Sequence, residues 1–310
     1  MTGSSMTRKL IAAAVFVCAV APVRSILAAE ATGPRTFATP KAAATALIAA
    51  ARSNNLDELL MLFGAEGRDL IASSDAATAR ANRDVFVAAV AQGWQLVSKG
   101  ANKRELVIGD EAWPFPVPIV KAGTRWKFDA AMGKEEVLDR RIGRNELTVI
   151  DICHTYAVAQ RKYAAQAHDG RAAGVYAKSF RSDSGKKNGL YWSTAKGEPR
   201  SPLGDLMAQA AIEGRAPGSE PAPLYGYYFK ILTAQGAAVS GGAKSYIVDG
   251  ELKGGFALVA WPAHYNESGV MTFLINQDGT VWQKDLGIET GKTAAGLTAY
   301  NPDASWTKTR

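Results

Sequence analysis

The stretch KEEVLDRRIGRNELTVIDICHTYAVAQRKYAA, residues 134–165, decides the architecture of this chain. Its apolar residues recur at steps of three, four and five positions, which indicates one face of an α-helix. The residues on that face are Val137, Ile142, Leu147, Ile150, Cys153, His154 and Ala157. Gly143 interrupts the pattern and predicts a bend or a point of close packing. We therefore expect residues 134–165 to form one helix that connects two domains.

The sequence before this helix predicts a small domain of helices followed by strands. Thr39-Pro40 opens a first helix, because threonine is a good N-cap and proline suits the first helical position. Helical spacing predicts two more helices, at residues 56–63 and 75–93. Strand patterns follow, and three prolines within residues 114–118 predict an edge strand or an irregular one. We assign this domain to residues 36–133.

The sequence after the helix predicts an irregular segment and then a β-meander. Residues 166–224 are rich in Gly, Ser, Pro and Lys, with a short helix expected near residues 203–211. Apolar and alternating runs then predict strands, and Asn276-Gln277-Asp278-Gly279 predicts a hairpin turn between the last two. We assign the C-terminal domain to residues 147–303, so that the fold class is α+β.

Two resemblances of fold type accompany this assignment. The element order of the first domain and its Trp126-Lys127-Phe128-Asp129 ending resemble the cone-shaped NTF2-like fold, whose small curved antiparallel sheet often wraps a pocket. From Leu147 onward, a long helix, a variable loop and a meander with an Asp-Gly hairpin resemble the globular head of type IV pilins and pseudopilins. A folded domain stands where pilins carry a long apolar helix, so the resemblance does not imply filament assembly.

The N-terminus has the features of a secretory signal peptide. Arg8 and Lys9 precede an apolar run over residues 10–21, and Ala28 and Ala29 provide small residues at the exit. The run is shorter than the roughly 20 residues that span a bilayer, although an uncleaved anchor is the alternative. We expect residues 1–29 to be removed and the mature protein, without a transmembrane segment, to reach the periplasm, the cell surface or the medium.

Composition excludes several classes of protein. The chain has 310 residues, of which 47% are hydrophobic and 21% charged, and a net charge of +7. These values exclude a disordered chain, a collagen-like fibre and a multi-pass membrane protein. With only 2 Cys and 3 His, we expect neither a disulfide framework nor a metal site. The glycine spacing matches no phosphate loop, so no cofactor is expected, and no basic tract with interleaved aromatics indicates a nucleic-acid partner.

Several strings resemble a family of exported bacterial proteins known as domain of unknown function 2950. They are Trp113–Pro118 (WPFPVP), Gly133–Glu136 (GKEE), Arg140–Glu146 (RRIGRNE), Gly189–Trp192 (GLYW), Ser201–Gly204 (SPLG), Gly255–Pro262 (GFALVAWP) and Val270–Phe273 (VMTF). The resemblance covers essentially the whole mature chain, and it implies no particular activity.

Two sets of residues are candidates for a functional site. His264, with Glu267 or Ser268, lies in a loop after a buried strand and has the groups for general-base hydrolysis, but no Gly-x-Ser-x-Gly elbow accompanies them. A polar turn is the structural alternative. Arg144, Tyr191 and Trp192 are the candidate ligand contacts, since Arg binds anions and aromatic rings line sugar or peptide grooves. Their alternatives are an ion-paired helix face and core packing.

The sequence favours a non-catalytic binding or scaffolding module of the bacterial envelope over an enzyme. Its partner would be an envelope protein or a small ligand, bound in a cleft between the domains or by residues 166–224. The competing hypothesis is a periplasmic hydrolase that uses His264.

Overall fold

The computed structural model describes residues 33–71, 76–195, 197–198, 200–203 and 223–309. The expected signal peptide and nearly all of the expected helix near residues 203–211 lie outside the described residues. The chain forms two compact units, of which the first ends at Arg141 and the second begins at Ile142. Helices and antiparallel sheets occur in the same chain, which confirms the α+β class.

Helices form the first half of the first unit. They are α1 (Pro40–Arg52), α2 (Leu56–Phe63), α3 (Arg68–Ile71) and α4 (Ala76–Gln92). The hydroxyl of Thr39 accepts a hydrogen bond from the amide of Ala42, and Pro40 occupies the first helical position, as predicted. The side chain of Asn55 caps α2 in the same way by accepting from the amide of Glu58.

An antiparallel sheet completes the first unit. Its strands are β1 (Trp94–Ser98), β2 (Lys103–Ile108), β3 (Trp113–Pro114), β4 (Ile119–Ala122) and β5 (Arg125–Phe128). The order is β1-β2-β4-β5, and β3 pairs with β2. The chain between β3 and β4 forms no strand, which confirms the irregular stretch expected from the prolines.

One helix, α5 (Ala130–Ala164), runs through the point where the units divide. It confirms the helix expected from residues 134–165. Leu147 and His154 do not lie on the buried face, in contrast to the expectation. Leu147 is 66% exposed, because steps of five residues drift off a face whose period is 3.6, and His154 is exposed as well. A methyl group on Gly143 would meet nothing within 4 Å, so the close packing that was one expectation for this glycine is not found.

The second unit is built on a five-stranded antiparallel sheet. After β6 (Tyr227–Leu232) come the short strands β7 (Ala234–Gln235), β8 (Lys244–Ser245), β9 (Ile247–Val248) and β10 (Glu251–Leu252), and then β11 (Ala257–Pro262), β12 (Met271–Asn276), β13 (Trp282–Asp285), α6 (Thr290–Gly296) and β14 (Thr307–Lys308). The main sheet has the order β14-β13-β12-β11-β6, and β12 pairs with β13 as the predicted hairpin.

The C-terminal half of α5 packs on this sheet through a stripe of buried residues. The stripe consists of Val149, Ile152, Cys153, Tyr156, Ala157, Ala159, Gln160 and Tyr163. A carboxylate oxygen of Glu146 accepts from the amides of Val270 and Met271, both at 2.9 Å, and so fastens the helix to β12. Among the described residues, no helix combines the length and the apolar character needed to cross a bilayer.

Candidate ligand-binding surface

Residues 166–195 follow α5 as an irregular segment that the helix holds in place. The buried Gln160 side chain forms two hydrogen bonds with the backbone of Ala177: its Oε1 accepts from the amide at 2.9 Å, and its Nε2 donates to the carbonyl at 2.8 Å. This amide pair replaces the backbone partner that a strand would have supplied. The segment is thus ordered without regular secondary structure of its own.

A tight loop within this segment brings two lysines to the surface. Asp183 and Asn188 close the loop, because the Asp183 amide donates to the Asn188 side chain and the Asn188 amide group donates to the Asp183 carboxylate. The bond that the Asn188 side chain donates to the Asp183 carboxylate, together with a bond and the positive charge of Lys186, lowers the pKa of Asp183. A methyl group on Gly189 would lie 2.4 Å from the Arg181 carbonyl carbon, so the loop can close only with glycine there.

The backbone of Lys187 is fixed from two sides. The Tyr163 hydroxyl donates to its carbonyl oxygen at 2.8 Å, and its amide donates to an Asp169 carboxylate oxygen at 2.6 Å. The Lys187 side chain stays exposed, and its ammonium nitrogen lies 5.7 Å from the ring centre of Trp192. This is the geometry of a cation–π contact. The position of the charge is therefore set by the fold rather than by a free loop.

Tyr191 and Trp192 line one depression of about 540 Å³ together with Lys186 and Lys187. Its other charged lining residues are Arg181 and Asp183, so cations outnumber carboxylates. A second depression shares Trp192 and Lys187 and adds the cations Lys162 and Arg200. We call the surface formed by Lys186, Lys187, Tyr191 and Trp192 the basic aromatic surface.

Two further aromatic rings, those of His168 and Tyr163, pack against Trp192 of this surface. The ring of His168 lies 4.2 Å from that of Tyr163 and 5.6 Å from that of Trp192, measured between ring centres. The His168 Nε2 atom is 3.0 Å from the Tyr163 carbonyl oxygen. Trp192 is half-buried, and its buried indole N–H has no hydrogen-bond partner among the residues that the structure describes. The stack therefore fixes the ring plane that Trp192 presents.

Arg144, the third predicted contact, does not line these two depressions. It lies on α5, where its carbonyl oxygen accepts from the Thr148 hydroxyl. In the first unit, the neighbouring Arg140 forms an i,i+4 ion pair with Glu136 at 2.7 Å, donates to the Pro114 carbonyl and lies over the Trp113 ring. Arg140 is thus held by contacts within the protein.

The predicted hydrolytic residues form a turn. The Ser268 hydroxyl accepts from the His264 amide at 3.0 Å and donates to the His264 carbonyl at 3.1 Å, while the Glu267 amide donates to the same carbonyl. The His264 imidazole is exposed, and the bonds to Ser268 involve the histidine backbone. The hydroxyl is thus engaged with the main chain rather than with the ring that would activate it.

The Cys153 thiol is fully buried, whereas the neighbouring His154 is exposed. Burial raises the pKa of the thiol to about 12, so the reactive thiolate is disfavoured. In the part of the chain that the structure describes, no cluster of three or more His, Cys, Asp or Glu side chains is arranged to hold a metal ion.

Comparison with known proteins places the chain in a family. The model of a family described as "Protein of unknown function (DUF2950)" matches residues 34–309, which is most of the chain. The chain belongs to the DUF2950 family. This confirms the resemblance drawn from the sequence strings. No curated protein and no solved structure matches this DUF2950 protein, and the likeness of its second unit to pilin heads stays a prediction.

Sequence reasoning missed the residues that complete the basic aromatic surface of this DUF2950 protein. Lys186 and Lys187 stand as an adjacent pair in a Gly- and Ser-rich stretch, and that pair was the available signal. Tyr163 and His168 gave none, because their contacts with Lys187 and Trp192 depend on how the segment folds back onto α5.

Proposed function

We propose that this protein is an exported, non-catalytic binding protein whose second unit captures an acidic polysaccharide on the basic aromatic surface. The observation that carries the proposal is the single depression that holds Tyr191, Trp192, Lys186 and Lys187. Its volume of about 540 Å³ falls within the roughly 300–1,000 Å³ typical of ligand pockets.

Each component of the surface suits part of such a ligand. The faces of Tyr191 and Trp192 offer apolar area against which the C–H face of a sugar ring packs. Lysine places a flexible point charge, which follows carboxylates at varying positions along a polymer better than a rigid fork does. The fixed backbone of Lys187 lowers the ordering entropy that binding would otherwise cost.

Export is the second part of the proposal. It rests on the basic start, the short apolar run over residues 10–21 and the alanines that follow. Acidic polysaccharides are abundant outside the cytoplasm, so location and ligand agree. Mass spectrometry of the protein recovered from its native envelope should give a mature N-terminus close to Glu30. An intact Met1 start in the cytoplasmic fraction would contradict this part.

Binding is tested by titration calorimetry with a short oligogalacturonate, against a neutral maltooligosaccharide of equal length. We expect binding of the acidic oligomer only. The double variant Lys186→Gln/Lys187→Gln should lose about tenfold in affinity, since two rim charges contribute roughly 0.5–1 kcal/mol each and 1.4 kcal/mol is a factor of ten.

The matched control is Lys292→Gln, which removes an exposed charge of the same unit on α6 and should leave affinity unchanged. Absence of oligogalacturonate binding, or equal loss in all lysine variants, would overturn the proposal. Equal affinity for single-stranded DNA of similar charge would also overturn it, because the surface would then recognise charge without the sugar.

A further inference from the structure

The second depression of the second unit, about 860 Å³ in volume, adjoins the one that carries the basic aromatic surface. Trp192 and Lys187 line both depressions and so form a wall that the two share. Lys186 lines only the first depression, and Lys162 lines only the second. Positive charges therefore lie on both sides of the shared wall, and Lys187 adds one at the wall itself.

The fold fixes the wall of the second depression as firmly as that of the first. Lys162 projects from α5, so a helix sets the position of its backbone. The chain then turns tightly over residues 168–171, whose two end residues exchange backbone hydrogen bonds of 3.1 and 2.8 Å. Asp169 and Gly170 have positive φ values of 47° and 78°, as a two-residue Asp-Gly turn requires. The Asp169 carboxylate accepts from the Lys187 amide and so joins this turn to the shared wall.

Two of the lysines on these walls keep their charge available to a ligand. Within the described residues, no salt bridge includes Lys162 or Lys187. The second depression has three cationic lining residues, Lys162, Lys187 and Arg200, against one carboxylate, that of Asp169. A cleft lined mostly by one sign of charge concentrates ligands of the opposite sign. An anionic ligand is thus attracted to both depressions.

We infer that the two depressions are successive subsites for one acidic polysaccharide chain, which crosses the Trp192 ring and continues on both sides of it. This inference rests on the proposed function and names the part of the polymer that is recognised. That part is an internal stretch with carboxylates on successive sugars, as in a polyuronate. A single sugar would occupy one depression and leave the lysine of the other, Lys186 or Lys162, without a partner.

Ligand length distinguishes two subsites from one. Sugars linked to those in the first depression reach the second as part of the same molecule, so their binding there is intramolecular and gains affinity. A trimer extends little beyond one depression, whereas a hexamer continues into the next. A hexamer also presents about four registers to a trimer-sized site, which alone accounts for a gain of about fourfold. A second subsite must therefore give a larger gain than this.

The test is titration calorimetry of the full mature chain with trigalacturonate and with hexagalacturonate. We expect one hexamer to bind per chain, at least about twentyfold more tightly than the trimer. Lys162→Gln should weaken hexamer binding by about two- to fivefold, as expected for one exposed charge, and leave trimer binding unchanged. The matched control Lys292→Gln replaces an exposed lysine that lines neither depression and should change neither affinity.

The possible results separate this inference from the proposal on which it rests. If the trimer binds but the hexamer gains no more than about fourfold, the second subsite is refuted and the first depression remains the binding site. An equal loss for both oligomers in Lys162→Gln, or a loss for neither, would also overturn the inference. If neither oligomer binds, the proposed function itself is wrong, and this inference with it.

Discussion

Replacing Gln160 with leucine should loosen the segment that carries the basic aromatic surface while preserving the shape of the helix. The native side chain satisfies both backbone groups of Ala177, which is itself buried. Leucine has nearly the same volume but no polar atoms, so the amide and the carbonyl of Ala177 would be left without partners. Tyr156 would still donate to the Ala257 carbonyl, so its hydroxyl would keep a partner.

The expected loss of unfolding free energy follows from the two backbone groups of Ala177 that are left without partners. Each unsatisfied buried donor or acceptor costs about 1–3 kcal/mol, and the extra apolar burial of leucine returns roughly 1 kcal/mol. We expect the second unit to lose about 1–5 kcal/mol of unfolding free energy. In urea denaturation its transition should move to lower concentration, while the transition of the first unit stays in place.

The control for Gln160→Leu is Gln166→Leu, which makes the same substitution at an exposed position just beyond the end of α5. Surface substitutions of this kind usually change stability by less than about 0.5 kcal/mol. Hydrogen exchange should also show faster exchange of the amides near Ala177 and Lys187 in Gln160→Leu alone. If the two variants unfold at the same urea concentration, the two-way bond to Ala177 does not stabilise the segment as argued.

Three further predictions follow from buried or bonded groups. Because burial raises the pKa of Cys153 to about 12, iodoacetamide at neutral pH should modify this thiol only after urea unfolds the protein. Rapid modification of the folded chain, detected by mass spectrometry, would contradict this. Burial, the first cause in each case, also raises the pKa of Tyr156, Tyr227 and Tyr300 above 10.0. The unfolded state therefore loses these protons first, so the unfolding free energy should be unaffected below pH 10 and should fall as the pH rises above it. Urea midpoints that stay constant from neutral to alkaline pH would refute this. Ser268→Ala should lower the unfolding free energy by about 1 kcal/mol, because the His264 amide loses its acceptor, whereas His264→Ala should leave it nearly unchanged in the same urea assay. The reverse order would show that the imidazole, and not the hydroxyl, stabilises the turn.

The sequence predicts the elements whose signals are local. Thr39-Pro40, the helical spacing over residues 56–63 and the Asp278-Gly279 turn each act through neighbours in the chain, and each element is found where it is expected. The face of α5 was harder to predict. Leu147 follows the apolar pattern but is exposed, because the buried stripe is set by contact with a sheet that is distant in sequence.

The candidate sites depend on contacts that no local pattern encodes. Tyr191 and Trp192 could be named from their chemistry, but the neighbouring Lys187 is positioned by Tyr163 and Asp169, which lie 24 and 18 residues earlier in the chain. His264 and Ser268 have the residue types of a catalytic pair, and only the structure shows that the hydroxyl bonds to the backbone.

The order of the basic aromatic surface comes from the helix rather than from the segment itself. Gln160 bonds to Ala177 and Tyr163 bonds to Lys187, so two residues on one face of α5 hold an irregular chain at two points. A ligand bound to this surface would therefore add to the stability of the second unit, since it binds only the folded arrangement. Oligogalacturonate should raise the unfolding transition of that unit alone. An acidic oligomer that stabilised both units equally would contradict the assignment of its binding to the second unit.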